Sequence, residues 1–174
     1  MSGATFASFE RSLAELDVPV TRVRREAFAD HIEEAVEPPA VGVPLEETFD
    51  EPGLSLEGTP VTVDPTPVAL REATTGVTGA RLGVGDYGTL ALSLTDRASE
   101  LVSLFVEHHV AVVRERDLVD EMRTGIETLG DEFAETRGSA ILATGPSATA
   151  DMGALVKGAH GPRTVEVLVL AEDD

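Results

Sequence analysis

The segment Thr164-Val-Glu-Val-Leu-Val-Leu170 (TVEVLVL) decides the fold class. A strand with one buried face alternates apolar and polar residues; this one carries a single charge among β-branched and aliphatic side chains. Such continuity marks a strand covered on both faces, as in a parallel sheet sandwiched between helices. Gly138–Ala143, His109–Val113 and Ala40–Val43 have the same character and are read as further buried strands. Between them lie segments of helical period. Phe6, Phe9, Leu13 and Leu16 are spaced 3, 4 and 3; Phe28, Ile32 and Val36 recur at intervals of 4 before Pro38-Pro39 stops the helix. Leu118, Met122, Ile126, Leu129 and Phe133 form the clearest amphipathic stripe, with Asp117 and Asp120 at its expected start. Alternating helices and buried strands give an α/β class with a largely parallel sheet.

The remaining segments are read by their punctuation. Val18–Val23 is a short β-prone run, and Leu101–Phe105 a further apolar run. The acidic stretch from Pro44 to Gly58, with its Pro52-Gly53 turn, is expected to be a surface loop. Asp64-Pro65 is expected to cap and open a helix running to about Thr74. Gly76–Leu94 (GVTGARLGVGDYGTLALSL) reads as two short strands joined at Gly85-Asp86-Tyr87-Gly88.

Charge is the unusual property of the composition. Thirty-two Asp and Glu oppose thirteen basic residues, twelve of them Arg, for a net charge of -19. The acids are spread along the chain, so they describe a solvated acidic coat and not an interaction tail. At molar salt the screening length falls to about 3 Å, and self-repulsion of this size becomes tolerable. A halophilic protein is expected, with nucleic acid excluded as a partner. No cysteine is present, which removes disulfides, zinc–thiolate sites and cysteine-bound clusters from this chain. No apolar run approaches the ~18 residues of a membrane span, and the N-terminus lacks the pattern of a signal peptide. A cytoplasmic location is the expectation, and the composition is compatible with a homo-oligomer. The length suits one domain, residues 1–174.

Functional residues are sought near the C-terminus, in Thr144–Pro162 (TGPSATADMGALVKGAHGP). Ala140–Thr144 is taken as a strand, Gly145-Pro146-Ser147 as the turn at its carboxyl end, and Thr149–Val156 as a short helix. Ligands of open α/β sheets bind at such carboxyl ends, and a helix N-terminus offers unpaired N–H groups to an anion. Ser147 and Thr149 add hydroxyl donors; a plain capped helix accounts for the same residues without any ligand. Lys157, the only lysine, and His160 follow with Gly161; they read as a helix C-terminus or as cations facing a carboxylate or phosphate. His108 and His109 are adjacent in a strand and point to opposite faces, so they cannot chelate one ion, and no metal site is expected. Asp86 reads as a turn aspartate, with general-base or substrate-anchoring chemistry as the alternative.

Five motifs together resemble the LUD-domain family, in its small lactate-utilisation protein C type. They are GVTGA (Gly76–Ala80), GDYGTL (Gly85–Leu90), HVAVV (His109–Val113), TGPSATADM (Thr144–Met152) and VKGAHGP (Val156–Pro162). The motif-bearing part is 76–170; residues 1–60 match least, sharing only a helix–strand–helix pattern. The resemblance implies a Rossmann-like three-layer fold of the sugar-phosphate isomerase and CoA-transferase superfold. It also implies participation in oxidation of L-lactate to pyruvate beside iron–sulfur subunits that carry the redox cofactors, with no cofactor in this chain. The implied candidates are Asp86 for catalysis, and Gly85, Gly88, Thr89, His109, Gly145, Pro146, Ser147, Thr149, Asp151, Lys157, His160 and Gly161 for binding a small anionic ligand. The sequence departs from the family's usual pattern at Asp86 (Glu), Ala148 (Arg) and Gly153 (an acid), which leaves Lys157 as the leading cation. A free-standing enzyme or an anion-sensing module acting on a sugar phosphate or CoA thioester remains the alternative.

Overall fold

A computed structural model of the chain describes residues 2–94 and 99–172. The elements run α1 (Ser2–Ala14), β1 (Val20–Val23), α2 (Phe28–Ala35), β2 (Ala40–Gly42), α3 (Leu45–Phe49), β3 (Val61–Val63) and α4 (Pro67–Glu72). There follow β4 (Thr75–Val84), β5 (Thr89–Ser93), α5 (Ser99–Leu104), β6 (His108–Arg114), β7 (Leu118–Val119) and α6 (Met122–Thr136). The chain closes with β8 (Ala140–Thr144), β9 (Ala148–Asp151), β10 (Ala154–Lys157) and β11 (Thr164–Leu170).

The main sheet has the order β1-β11-β6-β4-β2-β3, and every pairing along this path is parallel. Its two faces are read directly from alternation along the central strands. Val110, Val112, Leu168 and Leu170 enter a core with Phe28, Ile32, Leu45 and Phe49, below α2 and α3. Ala111, Val113, Val165, Val167 and Val169 enter a second core with Phe9 and Leu13 of α1. Two buried faces explain why these strands are apolar at consecutive positions. A third, smaller cluster of Leu82, Val84, Ala91 and Leu129 receives α6.

Several local expectations are corrected. Residues 44–58 are not a surface loop: they hold α3 and bury Leu45, Phe49, Leu54 and Leu56. Of the acids that suggested a loop, Glu47, Asp50 and Glu57 are exposed and Glu51 meets arginines. Glu51 accepts hydrogen bonds from Arg25, Arg114 and Arg116. The Arg25 bond, then Arg114 and the neighbouring charges, hold its carboxyl at about 2 against the opposing effect of burial. The helix after Asp64 begins later. Asp64 has a left-handed φ of 52°, incompatible with an N-cap, and Thr66 caps instead, accepting the Ala69 N–H at 3.2 Å.

The helix expected from Asp117 also starts late, at Met122, because Leu118 and Val119 first pair with Gly83 and Val84. Asp117 binds Arg114 instead of capping. Leu101–Phe105 falls mainly in helix α5. Strand β8 is real but misplaced by the sequence: it pairs antiparallel with β5 on one side only. Its side chains are half-buried or exposed rather than covered on both faces.

The most consequential correction lies at Thr149–Val156, which is no helix. Strands β9 and β10 form an antiparallel hairpin, with Ala154 opposite Asp151 and Lys157 opposite Ala148. Met152 and Gly153 at its tip have φ of 47° and 80°. Two positive φ values are what a two-residue hairpin turn of the right twist requires, and a helix cannot include them.

Candidate functional site

A cavity of about 340 Å³ opens where α1, β5, β8 and the segments on either side of the hairpin meet. Gly145, Pro146, Ser147 and Thr149 form one wall, and His160, Gly161 and Pro162 another. Ser147 joins these two stretches. Ser147 donates its N–H to Pro162 O at 2.9 Å and accepts the Gly158 N–H at its own carbonyl at 3.0 Å. Its Oγ accepts the His160 N–H at 3.3 Å. The TGPSATADM and VKGAHGP motifs therefore clamp each other around the cavity, with the hairpin as the excursion between them.

Gly88 lines the cavity next to α1 with φ of 64°. A Cβ at this position would come 2.8 Å from Leu13 Cγ, so only glycine lets the strand approach the helix so closely. Thr89 lies just outside; its Oγ1 meets Thr144 Oγ1 at 2.7 Å and fastens β5 to the carboxyl end of β8. Leu13, Leu90, Leu92 and Val165 complete an apolar wall.

His109 faces this cavity from the start of β6 and is buried. Its Nε2 is 2.7 Å from Thr78 Oγ1. Burial first, and the neighbouring His108 second, lower its pKa to about 4. The imidazole is therefore neutral at neutral pH, a polar and uncharged group in the wall. His108 points the other way, with Nδ1 2.8 Å from Thr164 Oγ1, so the pair do diverge as adjacent strand residues must.

Four further candidates stand away from the cavity lining. Gly85 donates to Val119 O at 2.7 Å and accepts from Ser12 Oγ at 2.7 Å, joining β4 to α1. Asp86 is exposed, and its Oδ2 accepts the Met122 N–H at 3.3 Å at the start of α6. That carboxylate is occupied in holding a helix end. Asp151 is on β9 with its backbone paired to Ala154; its side chain lies outside the described residues. Lys157 is exposed on β10, with Nζ 3.7 Å from Asp17 Oδ2. It is the cross-strand partner of Ala148, which lines the cavity. Directly opposed residues leave an antiparallel ribbon on the same face. The Lys157 side chain thus shares the face that meets the cavity.

The helix N-terminus expected after Gly145-Pro146-Ser147 does not exist, and with it goes the helix-dipole argument for an anion. Among the described lining residues none is Lys or Arg. Hydroxyls, backbone groups, His109 and His160 are what the cavity offers a ligand. Sequence reasoning missed Thr78, although it stands in GVTGA; its diagonal contact with His109 follows only from the neighbouring-strand register, with Thr78 beside Ala111 and Gly76 beside His109.

Comparison with known proteins gives the family. The LUD domain profile matches residues 4–170. The chain belongs to the LUD domain family. It is 29% identical over 161 residues to "Lactate utilization protein C" of Deinococcus radiodurans, covering 91% of this chain and 70% of that protein. An uncharacterised protein of Neisseria meningitidis serogroup B is 31% identical over 101 residues, 56% of this chain and 42% of that one. Among solved structures, a DUF162 family protein from Deinococcus radiodurans superposes with a TM-score of 0.67 and 23% identity, over 98% of both chains. That likeness concerns the fold. The match runs from α1 to β11 and so includes residues 4–60.

Proposed function

We propose that this LUD domain protein serves lactate utilisation by holding a small carboxylate-bearing ligand in the cavity between β8 and His160. The observation that supports this most is convergence: motifs separated by the whole hairpin meet around one cavity, in a chain related to a lactate utilisation protein C. A cavity without lining Lys or Arg favours a singly charged carboxylate over a phosphate dianion, whose desolvation demands paired cations. Lys157 supplies the cation. Its contact with Asp17 joins two exposed groups, and such pairs are worth only about 0–1 kcal/mol, so release costs little. The ammonium then approaches the cavity along the face it shares with Ala148. Neutral His109 and Ser147 would meet the ligand's hydroxyl or keto oxygen.

Oxidation of lactate needs an electron acceptor, and this chain has no cysteine with which to ligate a cluster. In this reading separate iron–sulfur subunits take the electrons, and the LUD chain contributes the ligand site to the assembly. In this reading Asp86 holds the start of α6 and the ligand is met by other residues. The test is isolation of the tagged chain in molar potassium chloride. Iron–sulfur chains should co-elute and the eluate should reduce a dye when lactate is added; a colourless chain eluting alone contradicts the reading.

A further inference from the structure

Strand β8 is an open edge of the main sheet, and its outward side differs from the edges at β1 and β3. Strand β1 follows Pro19 and contains Arg22, which is bonded to Glu115. Strand β3 has three residues and lies between Pro60 and Asp64-Pro65. Shortness, proline and charge are the devices that keep edges from pairing. Residues 139–144 (SAILAT) have none of them.

The direction of the free hydrogen-bonding groups follows from the ladder. Leu94 donates its N–H to Ser139 O at 3.2 Å, and the register runs from Ser93 opposite Ala140 to Thr89 opposite Thr144. In an antiparallel pair bonded and non-bonded residues alternate. Residues 139, 141 and 143 therefore turn their backbone groups to β5, while Ala140, Leu142 and Thr144 turn theirs outward. Among the described residues no strand receives them.

The surroundings point to one occupant. Residues 138–162 contain a single acid (Asp151) and a single lysine (Lys157), so this stretch is neutral in a chain of net charge -19. Two copies repel each other over most of their surfaces and least through this one. Apolar side chains are also uncovered here: Leu142 is 44% exposed and Phe105, at the end of α5, 68%. Leu104 Cδ2 lies 3.9 Å from the Cβ position of Gly161, which makes the patch continuous from α5 to the cavity rim. A strand pairing with itself about a two-fold axis is antiparallel by symmetry, as a closed homodimer requires.

We propose that β8 pairs with β8 of a second copy of this chain, joining the two sheets into one. Leu142 stands opposite Leu142 on the axis, exchanging its N–H and C=O, and Ala140 stands opposite Thr144. The two ligand cavities then flank the axis, each lined by a strand of the joint.

Sedimentation equilibrium in molar potassium chloride tests this. The wild type should show twice the 18.3 kDa of one chain. Leu142→Pro removes an outward N–H without touching the β5 ladder, and Leu142→Asp places a charge on the axis. Leu142→Pro should raise the dimer dissociation constant by roughly tenfold to a hundredfold, the worth of two lost hydrogen bonds; Leu142→Asp should raise it by setting like charges directly opposite each other in place of an apolar pair. Both should leave circular dichroism unchanged. Should Leu142→Pro fail to fold, Leu142→Asp and the hydrogen-exchange rate of the Leu142 amide in the wild type decide. Slow exchange that becomes fast on dilution supports the joint. A wild type that stays monomeric at hundreds of micromolar, or a dimer unaffected by Leu142→Asp, overturns it, whether a different protein or nothing covers the edge.

Discussion

His109 carries the clearest pH signature of any single residue in this LUD domain. Its pKa of about 4 in the folded chain lies below the ordinary 6.5 because burial penalises the imidazolium. Above pH 6.5 the ring is neutral folded or unfolded and affects nothing. As pH falls from 6.5 to 4 the unfolded chain takes up a proton that the folded chain refuses, and stability declines. The loss reaches roughly 3 kcal/mol near pH 4 and levels off below it. His109→Gln keeps a partner for Thr78 and removes the titration. Urea unfolding of both proteins between pH 4 and 7.5 should give curves that converge at low pH relative to their separation at neutral pH. A constant separation would mean that His109 is not held neutral. The histidine was legible in the sequence as a strand residue facing away from His108. Its neutrality was not, since that depends on the burial its neighbours in the folded sheet impose on it.

At the scale of elements, the sequence was most informative where period and burial coincide. Phe9 and Leu13, or Phe28 and Ile32, lie on one helical face and bury it, so their helices were visible. The stretch 44–58 misled because its acids are interleaved with its buried residues; spacing alone cannot tell that Leu45, Phe49, Leu54 and Leu56 converge on one core. Residues 148–157 misled for another reason. Small and β-branched residues fit either a short helix or a hairpin, and only the backbone of Met152-Gly153 separates the two. That turn offers a direct check. Met152 is fully exposed with φ of 47°, a conformation that asparagine tolerates far better than methionine. Met152→Asn should stabilise the hairpin by roughly 0.5–1 kcal/mol, part of the ~1–2 kcal/mol that a left-handed conformation costs an ordinary residue, read as slower exchange of the Ala154 and Val156 amides. Faster exchange would contradict the hairpin.

For the whole molecule, the parallel sheet between helical layers followed from TVEVLVL and its neighbours, while strand order did not. Strand β11, last in the chain, inserts between β1 and β6, a long-range pairing that no local pattern encodes. Charge acts at this scale too. With -19 distributed over 174 residues, dilution of salt should unfold the chain cooperatively, as the screening length grows from about 3 Å at 1 M to about 30 Å at 0.01 M. Circular dichroism across that range reads the transition; a fold that persists in dilute buffer would remove the salt-adapted reading.

The claim that joins these scales is that the cavity between β8 and His160 holds the ligand for a lactate-oxidising assembly. Its most direct test compares the wild type with Ala148→Trp, in which an exposed residue on the cavity wall is enlarged without disturbing the core. Both are isolated from molar potassium chloride and assayed for lactate-dependent dye reduction. The account predicts that iron–sulfur chains co-elute with both, and that reduction is lost only in Ala148→Trp. Equal reduction by the two preparations, or no iron–sulfur partner with either, would contradict it.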